Sequence, residues 1–150
     1  MAQLKEQLYL LCRNYISTRE AEIKKVIEEA QDAAASETKS SAGDKYETGR
    51  EVMQQEINLN ITRLNELHKL SLTLDHISPT QKGDIVVAGS LIYTNHGAFY
   101  ISVSAGQLVA DGLNFYAISA ASPLGVKMLG KQAGHTFELN GKTFEIEKVS

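Results

Sequence analysis

Two carboxylates, Asp44 and Glu47, lie three residues apart just after the first glycine of the chain. Side chains at this spacing lie on the same side of a helix. Mg²⁺ prefers oxygen ligands and is often held by one or two carboxylates together with phosphate oxygens from a partner. The pair can therefore form half of a magnesium site that a partner completes. The same spacing also fits a capping box, in which both acids simply satisfy backbone amides at a helix start.

Three cations, Lys39, Lys45 and Arg50, flank the acidic pair. Positive charges beside a carboxylate pair suit a phosphate backbone that approaches a bound metal. A solvated helix face would have the same composition, so both interpretations stay open.

The rest of the sequence contains few side chains that could catalyse a reaction or bind a metal ion. His96 and His135 are isolated in sequence, and we expect surface or structural roles for them. The single cysteine, Cys12, excludes an intrachain disulfide and a multi-cysteine zinc site, which favours a reducing compartment. No run approaches the roughly 20 apolar residues that span a bilayer. We therefore expect a cytoplasmic protein that does not contact a membrane.

Charge and glycine distribution describe the organisation of the chain. A net charge of -3 over 150 residues argues against a protein that coats nucleic acid through positive potential. Nine of the 11 glycines follow residue 82. Pro79 cannot continue a helix and disfavours the helical conformation at Ser78. We therefore predict two domains, residues 1–77 and 78–150.

The first domain has the apolar spacing of helices, with steps of three and four residues. One stripe consists of Leu4, Leu8, Leu11, Tyr15, Ile23, Val26, Ile27, Ala30, Ala33 and Ala34, and the other of Met53, Ile57, Ile61, Leu64, Leu67, Leu70, Leu74 and Ile77. The polar segment between them predicts a turn at about 40–47. Two arms of similar length, each roughly 50 Å, predict an antiparallel coiled-coil hairpin. Because the hairpin buries its own stripes, we expect a monomer.

In the second domain the apolar period changes to two. Short runs at 84–87, 90–94, 98–103, 107–109 and 114–118 predict strands. Ser122 as N-cap, Pro123 at the first position and a closing Gly130 predict one short helix. Asn140-Gly141 between two alternating runs predicts a tight hairpin. The whole chain is thus predicted to be α+β, with a small antiparallel sheet and one covering helix after the helical half.

Two motifs in this order resemble the bacterial Gre-type transcription elongation factors. The first is Gly43-Asp44-x-x-Glu47 at the bend of the helical hairpin, and the second is the run 118–131, ISAASPLGVKMLGK, within the sheet domain. The resemblance extends over essentially the whole chain. It implies an FKBP-like fold for the C-terminal domain.

The resemblance implies a partner of RNA polymerase that is not itself an enzyme. Factors of this family dock their globular domain near the mouth of the polymerase secondary channel, and the hairpin reaches the active centre. In a backtracked complex the tip acids help to hold the second Mg²⁺ and orient a water, so that the polymerase cleaves its own transcript. The nascent RNA 3′ end is thereby regenerated, and DNA is contacted only through the polymerase.

By the same resemblance each candidate residue receives a role. Asp44 and Glu47 are the metal-holding acids, Ser122, Pro123 and Leu124 meet the polymerase, and Lys39, Lys45 and Arg50 lie near the RNA. The family pattern continues with a further acid where this chain has Thr48-Gly49-Arg50-Glu51. Two alternatives therefore stay open: a polymerase-binding regulator of the same architecture that does not promote cleavage, and an FKBP-like peptide-binding or prolyl-isomerase module.

Overall fold

The computed structural model describes residues 2–37 and 43–150 and is α+β, in agreement with the sequence. Its elements are α1 (Ala2–Glu37), α2 (Gly43–Asp75), β1 (Leu91–Thr94), β2 (Gly97–Ser102), β3 (Gly106–Ala110), β4 (Leu113–Ser119), α3 (Pro123–Met128), β5 (Thr136–Leu139) and β6 (Lys142–Val149). No helix within these two ranges combines the length and the apolar composition needed to cross a bilayer.

The chain divides into two compact units. The sheet unit contains Met1–Tyr15 and Ser71–Ser150, and the helical unit contains Ile16–Leu70. The first turns of α1 and the last turns of α2 thus belong to the same compact unit as the strands.

The six strands form one sheet in the order β3-β4-β2-β1-β6-β5. Four neighbouring pairs are antiparallel, but β2 and β4 are parallel, with Ala98 opposite Phe115 and Ile101 opposite Ile118. The predicted fully antiparallel sheet is therefore wrong at this pair. The reason is that β4 lies between β2 and β3, so the chain has reversed direction twice before it reaches the neighbour of β2.

One predicted strand is absent. The run 84–87 forms no strand, although Val86 is buried. The Val86 N–H donates to the carbonyl of Lys131, and the Val86 carbonyl accepts from Gly130, both at 2.9 Å. Because these partners follow α3 directly and belong to no strand, the segment is held in an irregular conformation. Val86 thus serves the core without extending the sheet, whereas Ile85 and Val87 are exposed.

Both faces of the sheet are covered. On one face Met128 of α3 packs into a buried cluster with residues of the strands and the preceding loop: Val86, Ile92, Phe99, Ile101, Phe144 and Ile146. Successive strand residues point to opposite faces, so Leu91, Tyr100 and Phe115 belong to the other face. Cys12 of α1 reaches that face, where its Sγ lies 3.4 Å from the Ser102 hydroxyl oxygen.

In the helical unit the buried positions of α2 include a polar residue. Asn60 is 6% exposed, whereas Ile61, which the apolar spacing places in the stripe, is 42% exposed. The Asn60 side-chain amide donates to the carbonyl of Glu56 at 2.9 Å, which partly offsets the cost of burying it. The stripe prediction is thus wrong at Ile61, because the buried face passes through the neighbouring position.

Gly125 is a glycine that the fold requires. A Cβ atom at this position would collide with the carbonyl oxygen of Ser119 and lie 3.0 Å from that of Ala120. We expect Gly125→Ala to lower the free energy of unfolding by about 2 kcal/mol or more, because backbone must move to make room. Gly83→Ala is the control, since no heavy atom lies within 4 Å of its Cβ position. Urea denaturation of both variants measures the difference, and equal stabilities would contradict the expectation.

Tyr100 is fully buried, and among the described residues its hydroxyl has no hydrogen-bond partner. Burial raises the pKa of Tyr100 above its ordinary value. The unfolded chain therefore loses this proton first, and the folded state becomes less stable relative to the unfolded chain as pH rises above about 10.

We expect Tyr100→Phe to be at least as stable as the wild type at neutral pH, because an unpartnered buried hydroxyl costs about 1–3 kcal/mol. The gap between the two proteins should widen above about pH 10. Urea denaturation at pH 7 and pH 10.5 measures both effects. A variant that is less stable than wild type at both pH values would show that the hydroxyl has a partner.

Candidate functional site

The two predicted metal-holding acids belong to the start of α2. The helix begins at Gly43, so the backbone of Asp44 and Glu47 lies in its first two turns. Backbone N–H groups at a helix start carry partial positive charge, and acidic residues are favoured there. The side chains of both acids lie outside the described part of the structure, as does that of Lys45.

Of the three flanking cations, only Arg50 has a side chain within the described part of the structure. Lys39 lies outside the described residues, and Arg50 is an exposed residue of α2. Glu51 follows it and is also exposed. Among the side chains that the structure describes, no group of three or more His, Cys, Asp or Glu residues is arranged to hold a metal ion.

The second candidate surface is built on α3. Ser122 has an extended backbone, with φ -65° and ψ 156°, and its hydroxyl oxygen accepts from the N–H of Gly125 at 3.1 Å. The same hydroxyl donates to the carbonyl of Ser119 at 2.6 Å. Pro123 then occupies the first helical position, where its missing N–H costs nothing. The predicted helix start is confirmed, and the Ser122 hydroxyl stabilises it through these two hydrogen bonds.

The three predicted docking residues do not share one surface. Pro123 is exposed, whereas Leu124 is half-buried and packs against the core cluster of the sheet. Val126 is 61% exposed, and Lys127 beside it is exposed as well. Positions three and four residues apart share a helix face, so Pro123, Val126 and Lys127 form the outer face of α3. Sequence reasoning missed Val126, although its spacing from Pro123 could have identified it.

The two isolated histidines have structural contacts, as expected from the sequence. The His96 ring packs edge-on against Phe144, with ring centroids 4.8 Å apart, and its Nε2 lies 3.0 Å from the carbonyl oxygen of Thr143. His135 accepts at Nδ1 from the backbone N–H of Gln132 at 2.8 Å. Both rings therefore stabilise turns next to β6.

No protein-family model, curated protein or solved structure matches this chain. The acidic pair belongs to the helical unit, and α3 belongs to the sheet unit.

Proposed function

We propose that this protein is a transcription elongation factor that binds RNA polymerase and stimulates cleavage of the transcript in backtracked complexes. The observation that carries the proposal is the position of Asp44 and Glu47 in the first two turns of α2. Helices of 36 and 33 residues, α1 and α2, extend on the two sides of the segment that precedes this pair. The carboxylates therefore lie where two long helices adjoin in sequence.

The proposal includes an antiparallel pairing of α1 and α2 into a coiled-coil hairpin. In the sheet unit the Tyr9 hydroxyl donates to the carbonyl of Leu74 at 3.0 Å, and Arg13 donates to the Ser71 hydroxyl at 3.1 Å. In the helical unit a groove is lined by Arg19, Glu22 and Ile23 of α1 and by Arg63, Glu66, Leu67 and Leu70 of α2. Residues further along α1 thus lie beside residues earlier in α2, which supports antiparallel pairing.

A hairpin of this length suits a narrow channel. Thirty-odd helical residues at 1.5 Å each extend about 50 Å, and two paired helices are slender along that length. We further propose that the sheet unit, with α3 on one face of a mostly antiparallel sheet, is an FKBP-like domain that docks on the polymerase near the entrance of the secondary channel.

The role that we propose for the bend of the hairpin is to bind a metal ion. Two carboxylates supply the oxygen ligands that Mg²⁺ prefers, and as a pair they leave most of the coordination to water and a partner. Bound Mg²⁺ would stabilise the attacking and leaving oxygens of phosphodiester hydrolysis. Asp44 and Glu47 would hold the ion and orient a water, while Lys39, Lys45 and Arg50 would lie near the phosphates of the nascent RNA 3′ end. Hydrolysis itself belongs to the polymerase, so the factor is not an enzyme.

One observation favours a second candidate, a polymerase-binding regulator that enters the channel without promoting cleavage. Arg50 is an exposed cation three residues after Glu47, in the segment where Gre-type factors carry a further acid. A positive charge there lowers the negative potential that attracts a second metal ion. Cleavage activity therefore decides between the two candidates.

We expect Asp44→Asn and Glu47→Gln each to reduce transcript cleavage on the order of 100-fold, because metal-held charge stabilisation amounts to several kcal/mol. The measurement is the release of short labelled RNA from a stalled, backtracked elongation complex. Glu51→Gln is the matched control, because it removes one exposed carboxylate from the same helix and should leave cleavage unchanged.

Three results would contradict parts of the proposal. If Asp44→Asn retains full cleavage, the residue assignment is wrong. If the wild type binds polymerase but releases no short RNA, the non-cleaving regulator is correct. If no binding to polymerase is detected, the proposed function fails.

We expect the outer face of α3 to contribute to polymerase docking. Val126→Glu should weaken binding to RNA polymerase about tenfold, since it places a charge in an apolar contact, a change of roughly 1.4 kcal/mol. Val126 is 61% exposed, so the fold should be unaffected. Gln132→Glu adds the same charge at another exposed position and is the control. Equal affinities in a competition binding assay would remove α3 from the docking surface.

A further inference from the structure

The outer edge of the sheet at β3 lacks the features that normally protect an exposed strand. β3 (Gly106–Ala110) reads Gly-Gln-Leu-Val-Ala, with no charge and no proline, and it pairs with β4 in an unbroken register. Within the ranges that the structure describes, no strand pairs with its other side. Proteins usually protect such edges with lysine, proline or a bulge. The opposite edge strand, β5, does carry a charge, Glu138.

A groove lies between β3 and α1. Its walls include Gln7, Leu10, Leu11 and Asn14 of α1 together with Val109, Ala110 and Asp111, and its volume is about 420 Å³. The four helical residues have the spacing of one helix face. Leu10 is 64% exposed and Val109 is 60% exposed, which is high for side chains of this type. The groove thus has apolar residues on both walls, together with Gln7 and Asn14, and Asp111 adds a negative charge to its lining.

The turn between β3 and β4 determines which backbone N–H and C=O groups of β3 point away from β4. Asp111 and Gly112 both have positive φ, 52° and 73°, which defines the two-residue turn between β3 and β4. In such a hairpin the flanking residues, Ala110 and Leu113, form the closing hydrogen-bonded pair, and hydrogen-bonded pairs then alternate along the strand. Val109 and Gln107 therefore direct their backbone N–H and C=O groups toward the open edge and the groove.

We propose that the β3 edge binds an extended segment of a partner protein, which adds a seventh strand to the sheet. Strand addition of this kind takes its affinity from backbone hydrogen bonds and its specificity from alternate side chains. The segment would place apolar residues at alternate positions against Leu10 and Leu11 and a lysine or arginine near Asp111. The inference is independent of the proposed polymerase function, because it rests on the sheet edge and the adjoining groove alone.

Charge favours a partner segment over a second copy of this chain. Two copies paired through β3 would bring no cation to Asp111, because residues 106–110 carry none. Both Asp111 carboxylates would stay unpaired beside an apolar contact. A basic residue on a separate segment pairs with that carboxylate and fixes the direction of the added strand.

The test uses the full chain and a fluorescein-labelled eight-residue peptide in which valine alternates with threonine and the last residue is lysine. We expect saturable binding by fluorescence anisotropy with a Kd below about 100 µM. Val109→Pro should weaken binding at least tenfold, since it removes an outward N–H without touching the ladder to β4. Val109→Thr keeps that N–H and is the matched control, with a change of less than about threefold. A peptide ending in glutamate should bind several-fold more weakly than the lysine peptide.

A second variant keeps the test decisive if Val109→Pro fails to fold. Leu10→Asp changes the opposite wall of the groove at a position that is 64% exposed, and it should also weaken binding at least tenfold. Absence of saturable binding to the wild type would overturn the proposal. Equal binding by wild type and Leu10→Asp would also overturn it. Sedimentation of the wild type as a dimer that Val109→Pro or Leu10→Asp converts to a monomer would assign the edge to a second copy instead.

Discussion

Burial of the second face of the sheet by the helix ends is the interaction on which the rest of the structure depends. A sheet with apolar residues on both faces needs two covering layers, and α3 is short and covers one. Leu8, Cys12 and Leu74 are fully buried within the sheet unit, and Cys12 contacts Ser102 on this face. The segment that follows α2 has only 75 residues, close to the lower limit for a self-sufficient core. The helix ends that belong to the sheet unit are therefore part of the sheet's core.

Polar contacts at the same place specify how the helix ends are held. Lys5 is 2% exposed, and its ammonium donates to the carbonyl oxygens of Gln81 and Ser150. Burial lowers the pKa of Lys5, and the two acceptors offset part of the cost of removing its charge from water. Arg13 donates to Asp75 and to Ser71, which links α1 to the last turns of α2. Groups of this kind accept only a limited range of geometries, so they restrict how the helix ends pack within the sheet unit.

Features of the fold that depend on neighbours in sequence could be predicted from the sequence. The helices, most strands, the Ser122 cap and the Asn140-Gly141 turn all follow from local spacing and backbone preference, and each is confirmed. Features that depend on residues far apart in sequence could not be predicted in this way. Nothing in the alternation of β2 and β4 indicates that they become parallel neighbours, and nothing in the run 84–87 reveals that its backbone partners follow α3.

The same distinction applies to the candidate sites. A three-residue spacing indicates the acidic pair, and a preference for helix starts indicates Pro123. Both are local signals. Leu124 faces the core since its orientation is set by packing against the sheet. The exposed edge of β3 follows from strand order, which only the assembled sheet defines. A surface that depends on strand order therefore cannot be identified from the spacing of residues in the sequence.

The position of β6 has a consequence for how the protein is made. β6 lies inside the sheet, between β1 and β5, and the backbone of Ser150 exchanges hydrogen bonds with that of Leu91. The buried Lys5 contacts a residue 145 positions further along the chain. During synthesis the first turns of α1 leave the ribosome before β6, so the surface that covers them is complete only after β6 has emerged. Contacts of such long sequence separation slow folding. The side of α1 that packs on the sheet consequently lacks its complete partner surface until β6 has been made, which is an interval in which chaperones act on nascent proteins.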